Sequence, residues 1–488
     1  MKVELCVNST CTRQAAGSPV NVAVTYHIAG DALPTISVNW IKGFITGANL
    51  KTAETRSPKM VLILDPMEYA YEPIYMRHSA AGTGLISDVA VRQNAYQARE
   101  GIYDITLKAP ATLGSGVFTD TMDFEACFDA ACTKPVPSSR YTLSVEMLIT
   151  ATEGVEYTKR VVQVADAKEI VWSPVHQSLY VTSNSRDDHR VTQVNPVTMA
   201  TGAVTALPPE HMNATLWNMA VTPEGNYLYL GSFSSFLYRL KLPSLELDRA
   251  IPLAAPPEVF QTRDLAVIPG QPQSIIVSGG KVGGDAGVYV YDDITARPAF
   301  IAPDPNPPAD VPRWIIPGAT PGTFQSMQYS NNAGARAPTM DLFALDASGL
   351  HEIASTLTGS TFGLRKPQRV GSKLYAGTVI ADAVTGAIES SLALPNGSVY
   401  DSLVDEAHNR IFVWINLNGG SSVVLSYDLT TRALLAYADI TNPGTFPLSD
   451  TTKIMTLWGN DGLALVNSGQ VIVLQGPFFT TYRGEPTM

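Results

Sequence analysis

The stretch LWNMAVTPEGNYLYLGSFSSFLYRLKLPSLELDRAIPL, residues 216–253, decides the fold. It opens with an apolar strand, turns at Pro223-Glu224-Gly225 and continues as the alternating run Tyr227-Leu228-Tyr229-Leu230. A polar hairpin, a third strand, a turn and a fourth strand follow. Short alternating runs punctuated by Gly, Pro, Asn and Ser read as antiparallel strands. Four such strands within about forty residues correspond to one blade of a β-propeller.

The same order recurs along the chain. EIVWSPVHQSLYVTSN starts at Glu169 and DLAVIPGQPQSIIVSGG at Asp264. A less regular fourth unit runs from Phe324 through MDLFALDASGLHEIAST. Residues 372–394 hold a fifth, DSLVDEAHNRIFVWINLNGG from Asp401 a sixth, and residues 453–476 a seventh. The seventh shows three strands, and YTKRVVQVA, residues 157–165, is expected to supply the fourth and close the ring. Closure would remove the sheet edges that otherwise pair with other chains. The Pro-rich stretch 303–312 breaks the rhythm and reads as an excursion over one face.

Upstream the texture differs. Residues 3–28, VELCVNSTCTRQAAGSPVNVAVTYHI, align without a gap to residues 124–149, FEACFDAACTKPVPSSRYTLSVEMLI, at an offset of 121. Each copy carries a strand ending at a Cys, a loop closed by a second Cys, and an alternating strand. The four cysteines are Cys6, Cys11, Cys127 and Cys132, in two C-x4-C pairs. Four cysteines allow three pairings. Local pairing, Cys6 with Cys11 and Cys127 with Cys132, is the one that respects the repeat; two pairs of free thiols are the alternative. Disulfides point to an oxidising compartment. Between the copies, candidate strands at 35–40, 59–64, 74–76, 85–91, 101–107, 121–126 and 141–150 suit a sandwich of seven short strands.

The expected fold class is therefore all-β: an Ig-like β-sandwich followed by a seven-bladed β-propeller. Residues 1–28 are read as the last strands of a preceding Ig-like repeat, 29–152 as one complete sandwich, and 153–488 as the propeller.

Composition agrees. The chain has 488 residues, of which 16% are charged, with 37 Gly and 34 Pro. Charged residues are scarcer than the roughly 25% of ordinary soluble domains. Lys+Arg number 33 against 44 Asp+Glu, a net charge of −11, and no basic cluster suits nucleic acid. No apolar run reaches the roughly 18 residues of a membrane span. The N-terminus carries no signal-peptide core. Together with the cysteines, this reads as an extracellular, cell-surface or periplasmic chain that continues upstream with further Ig-like repeats.

Three phrases close units with an Asp or Asn on a turn: Asn195-Pro-Val-Thr, Asp382-Ala-Val-Thr-Gly and Asp428-Leu-Thr-Thr. Such a side chain can bond the backbone two residues on. With LYVTSN, LYLGSF and LYAGTV, the phrases make residues 155–488 resemble the YVTN/lactonase-like, or quinoprotein-like, seven-bladed propellers of bacteria. The Trp of quinoprotein docking repeats is missing after Asp382-Ala-Val-Thr-Gly, which argues against a quinone cofactor. The sandwich resembles the Ig-like modules of bacterial surface proteins.

No nucleophile elbow, phosphate-binding loop or zinc-protease motif is present. One constellation remains. Aligning the units on Pro174, Pro223, Pro269 and Glu406 puts Glu169, Asn218, Asp264 and Asp401 at corresponding starts of innermost strands, with Gln325 as a fourth-unit counterpart. Oxygen ligands converging there could hold Ca²⁺. The resemblance to gluconolactonase-type propellers implies a metal-dependent lactonase or esterase as one function. The neighbours Lys168, Trp217, Arg263 and Tyr400 also correspond, and Trp217, Arg263 and Tyr400 are candidate contacts for a protein or glycan ligand at one face. The leading expectation is a non-catalytic binding or adhesion module with an Ig-like stalk and a propeller head. A structural subunit of a surface filament or sheath, self-associating through its N-terminal strands, is a further alternative.

Overall fold

The computed structural model describes residues 2–3, 20–21, 35–37, 43–49, 59–65, 75–78, 85–93, 100–127, 129–135, 140–151, 157–185, 188–207, 216–253, 261–281, 284–302, 313–328, 339–357, 366–417, 422–440, 453–459, 462–467 and 469–476. Nearly all of its regular structure is β. A single short helix, Pro110–Leu113, interrupts the strands among the described residues, and no described helix is long and apolar enough to cross a membrane.

Seven four-stranded antiparallel sheets follow residue 157. The first sheet holds Ala167–Ser173, Ser178–Ser185, Asp188–Val194 and Thr201–Ala206. The second, built from the stretch quoted at the outset, holds Leu216–Val221, Tyr227–Ser232, Phe236–Lys241 and Leu247–Pro252. The third runs from Gln261–Val267 to Thr295–Ala296, the fourth from Arg313–Pro317 to Gly349–Leu357, the fifth from Gln368–Val370 to Ile388–Ser391, and the sixth from Gly397–Asp405 to Leu434–Asp439. The seventh combines Lys453–Trp458, Gly462–Asn467 and Gln470–Gln475 with Thr158–Gln163 from the opposite end of this region. That ladder pairs Thr158 with Gln475 and Gln163 with Gln470, as the segment 157–165 was expected to do.

The central strands of these sheets are apolar on both faces, because each sheet is covered twice. Leu228 and Leu230 face the first sheet, packing with Tyr180 and Val191. Tyr229, between them in sequence, faces Leu265, Ile275 and Val277 of the third. The same alternation repeats at every junction. Ile411, Val413 and Ile415 pack on the fifth sheet, while Phe412 and Trp414 pack on the seventh. Trp458, Ala464 and Val466 of the seventh meet Ile170, Leu179 and Val181 of the first. First strands of successive sheets touch, and that of the seventh touches that of the first, so the packing forms a closed circuit.

One unit begins earlier than its sequence suggests. The fourth sheet starts at Arg313–Pro317, so Phe324 and Gln325 lie on its second strand. The sequence alignment that made Gln325 a first-strand counterpart of Asp264 is corrected accordingly. The stretch 303–312, which masked this start in the sequence, lies outside the described residues.

Upstream, two four-stranded sheets contain Gly43–Asn49, Tyr141–Thr150, Gly116–Cys127 and Tyr75–His78 in one, and Thr35–Ser37, Lys59–Asp65, Glu100–Leu107 and Ile86–Gln93 in the other. Gly43–Asn49 was not foreseen: its glycines blur the alternation, and it pairs parallel to Tyr141–Thr150. The buried Asp120 joins the sheets by accepting the N–H groups of Leu85 (2.9 Å) and Ile86 (3.1 Å). The Cys127–Cys132 disulfide is formed; Cys6 and Cys11 lie outside the described residues. Lys2–Val3 and Val20–Asn21 form a two-stranded ladder. Val3 opposite Val20 and Lys2 opposite Asn21 are the pairings of Phe124 with Tyr141 and Asp123 with Thr142, displaced by the 121-residue offset.

The strand Tyr141–Thr150 is buried on both sides from Val145 to Thr150. Val145, Met147 and Ile149 belong to one apolar face, while Leu148 joins the cluster between the fifth and sixth sheets. Next to it, the buried Glu146 accepts the backbone N–H of Asn396 at 2.9–3.0 Å and also its side-chain amide. Ala151 N–H donates to the Leu434 carbonyl at 3.0 Å. The alternation of this strand in sequence suggests a single buried face, and packing against the sixth sheet covers the second.

Candidate functional site

The corresponding first-strand residues share a local distortion. In the first, second, third and sixth sheets the first ladder slips between Ala167 and Glu169, Leu216 and Asn218, Thr262 and Asp264, and Val399 and Asp401. The residue skipped each time is Lys168, Trp217, Arg263 or Tyr400. A bulge re-aims the side chain that follows it. Four bulges thus put Glu169, Asn218, Asp264 and Asp401 at equivalent points of their ladders.

Their partners show what three of them do. Asn218 donates from Nδ2 to the carbonyls of Arg263 (2.8 Å) and Thr262 (3.4 Å) on the next first strand. Asp264 accepts the Ile315 N–H at Oδ2 (2.7 Å), again one sheet on. Asp401 accepts the Met455 N–H at Oδ2 (2.7 Å) and the Ser402 N–H at Oδ1 (2.9 Å). The carboxylate or amide after three of the four bulges therefore fastens its sheet to the following one. Glu169 is held at its backbone, where its N–H donates to the buried Thr182 hydroxyl at 3.1 Å.

Asp264 is only 5% exposed and has a second partner, the Lys366 ammonium, at 2.8 Å. Lys366 precedes the fifth sheet, so this ion pair skips over the fourth. The sequence reading missed Lys366 because no motif marks the approach to the three-residue strand Gln368–Val370. It also missed Gln368, whose Oε1 accepts the Val404 N–H at 2.6 Å and ties the fifth sheet to the sixth. The buried Gln325 bridges as well, donating to the Ala383 carbonyl (2.7 Å) and accepting from Arg369 (2.8 Å).

These contacts bear on the metal reading. A cation at Asp264 would have to compete with an ammonium already within 2.8 Å of the carboxylate. Among the described residues, the His, Cys, Asp and Glu ligand atoms that cluster tightly enough for one ion are those of Glu125, Cys127 and Cys132. Glu169, Asp264 and Asp401 are not brought together in that way. Cys127 and Cys132 are bonded to each other, so they offer no thiolate.

The bulge residues meet aromatic neighbours. The Arg263 guanidinium lies 5.9 Å from the centre of the Phe233 ring, within cation–π range. A side chain at Gly280 would collide with Arg263, so that glycine makes room for it. Tyr400 packs edge-on against the buried Trp414, ring centres 5.6 Å apart, and burial raises its phenol above the ordinary pKa. Trp217 sits at its bulge in the second sheet, and its side chain lies outside the described residues. Arg263 and Tyr400 belong to the third and sixth sheets of the circuit, each with its own aromatic partner. No protein-family model matches the chain, and no curated protein matches it.

Proposed function

We propose that the protein is an exported, non-catalytic binding or adhesion module, in which an Ig-like sandwich carries a seven-bladed β-propeller. The circuit of seven four-stranded sheets, with Thr158–Gln163 completing the last, supports the propeller reading. The paired four-stranded sheets upstream support the sandwich, and the Cys127–Cys132 bond supports an oxidising compartment.

The observation that carries the function is the set of four equivalent bulges. They place Lys168, Trp217, Arg263 and Tyr400 at matching points of four first strands, while the polar side chains beside three of them are spent on backbone groups of the next sheet. That division suits a rigid frame presenting aromatic and cationic groups to a protein or glycan. It does not suit a cluster of acids poised to activate water.

Screening the protein on glycan and protein arrays tests this. Arg263→Ala and Tyr400→Ala are expected to weaken a captured ligand without lowering the melting temperature by more than a few degrees. Absence of any ligand, together with EDTA-sensitive hydrolysis of lactones or aryl esters, would replace this reading with the Ca²⁺-dependent lactonase.

A further inference from the structure

A cleft of about 410 Å³ lies where the strand Gly116–Cys127 ends and the Cys127–Cys132 loop begins. One wall is the strand Tyr75–His78, which contributes Tyr75, Arg77 and His78. The other is the loop that the Cys127–Cys132 disulfide closes. Three hydrogen bonds stiffen this wall further. Cys132 N–H donates to the Asp129 carbonyl at 3.0 Å, and the Asp129 carboxylate accepts both the N–H and the hydroxyl of Thr133 at 2.8 Å. Those bonds hold the Asp129 carboxyl below its ordinary pKa.

Arg77 differs from the other charges here. It is exposed, and no hydrogen bond or ion pair joins it to another described residue. Glu125 stands directly opposite it in the ladder, yet turns its carboxylate to the Cys132 sulfur at 3.7 Å. An Arg fork left uncommitted beside a preformed wall is a ready partner for a carboxylate. Tyr75, 41% exposed, adds an aromatic face on the same strand.

Tyr75–His78 is also the last strand of its sheet. It pairs with Gly116–Cys127 on one side, and no described strand pairs with its other side. A bare strand edge offers main-chain donors and acceptors to an added strand. A free sugar would leave those groups unused, so the edge and the cation together select a peptide.

We propose that this cleft binds an extended acidic peptide segment, which adds to the Tyr75–His78 edge and sets a Glu or Asp carboxylate on Arg77. The site is separate from the bulge residues of the seven sheets, so it stands or falls independently of them.

Fluorescence anisotropy of the whole protein with labelled Val-Thr-Glu-Val-Thr-Val tests it. The Glu peptide is expected to bind, and its Lys analogue to bind about tenfold more weakly or not at all. Arg77→Gln, at an exposed position, is expected to weaken the Glu peptide by a similar factor. Alternate N-methylation of the peptide backbone should weaken it too, because main-chain bonds are lost. Equal binding of the Glu and Lys peptides, indifference to Arg77→Gln or to N-methylation, or no binding at millimolar peptide would each overturn the proposal. So would displacement of the peptide by oligogalacturonate more effectively than by unlabelled peptide, which would make the site a glycan site.

Discussion

Single side chains do two recurring jobs in this chain. The first is to shape turns. Asn195, Asp382 and Asp428 each accept backbone N–H groups two and three residues on, at 2.6–3.0 Å. Each turn ends in a left-handed residue, Met199, Gly386 or Arg432, whose N–H returns to the carbonyl of the opening Asn or Asp. The sequence reading anticipated the first of these bonds from residue type alone, because an Asx turn is local chemistry. The second job is to staple sheets, and Asp264 shows it best. Asp264→Ala would orphan the Ile315 N–H and the Lys366 ammonium and is expected to cost about 1–3 kcal/mol. Asp264→Asn keeps an acceptor for Ile315 and should cost less than the alanine. Urea titration of the two variants checks that order; equal stability of alanine variant and parent would contradict the stapling role.

At the scale of elements, the pattern that reads most clearly is period two. Tyr227–Ser232 alternates between neighbours on opposite faces, and so does Arg410–Leu417. Short or glycine-bearing elements read less well. Gly43–Asn49 and Gln368–Val370 lack enough side chains in alternation to announce themselves. Arg313–Pro317 follows a Pro-rich stretch that disguises where its unit begins. The closing strand Thr158–Gln163 yields a sharp prediction. On an outermost strand, successive N–H groups alternate between the ladder and the outside. Of the neighbouring variants Val161→Pro and Val162→Pro, the one that removes a ladder N–H should therefore lower the melting temperature more. Light scattering should also show it associating, since Gln470–Gln475 would be left with an open edge. Two equally stable, monomeric variants would mean that this pairing does not close the seventh sheet.

At the scale of the whole molecule, the strand Tyr141–Thr150 meets the approach to the sixth sheet at a buried carboxylate, Glu146. Burial outweighs the hydrogen bonds from Asn396 and holds the Glu146 carboxyl above its ordinary value of 4.5. The folded chain thus keeps this proton to higher pH than the unfolded chain does. Its contribution to stability is fully present below pH 4.5 and is lost as pH rises through the raised folded value. Glu146→Gln should abolish that component of the pH dependence while leaving an acceptor for the Asn396 N–H. Melting curves across pH 4 to 8 for parent and variant, about ten points each, would show it; identical slopes would place the pH dependence elsewhere. Nothing in the sequence near Glu146 pointed to Asn396, 250 residues away.

The sequence by itself determined what depends on neighbours a few residues apart. Strand alternation, Asx turns and the order of the repeated units are set by local sterics and hydrogen bonding, and most of this could be read, the start of the fourth unit and the strand Gly43–Asn49 excepted. The 121-residue repeat even carries its pairing register, since Val3 with Val20 reproduces Phe124 with Tyr141. Tertiary structure alone decided what those residues face. Arg160 reaches Gln475 across 315 residues, and Lys366 reaches Asp264 across 102. The aligned acids and amides looked in sequence like a ligand set. Three of them hold backbone groups of the next sheet, because a bulge turns a side chain by an amount that only the completed ladder defines.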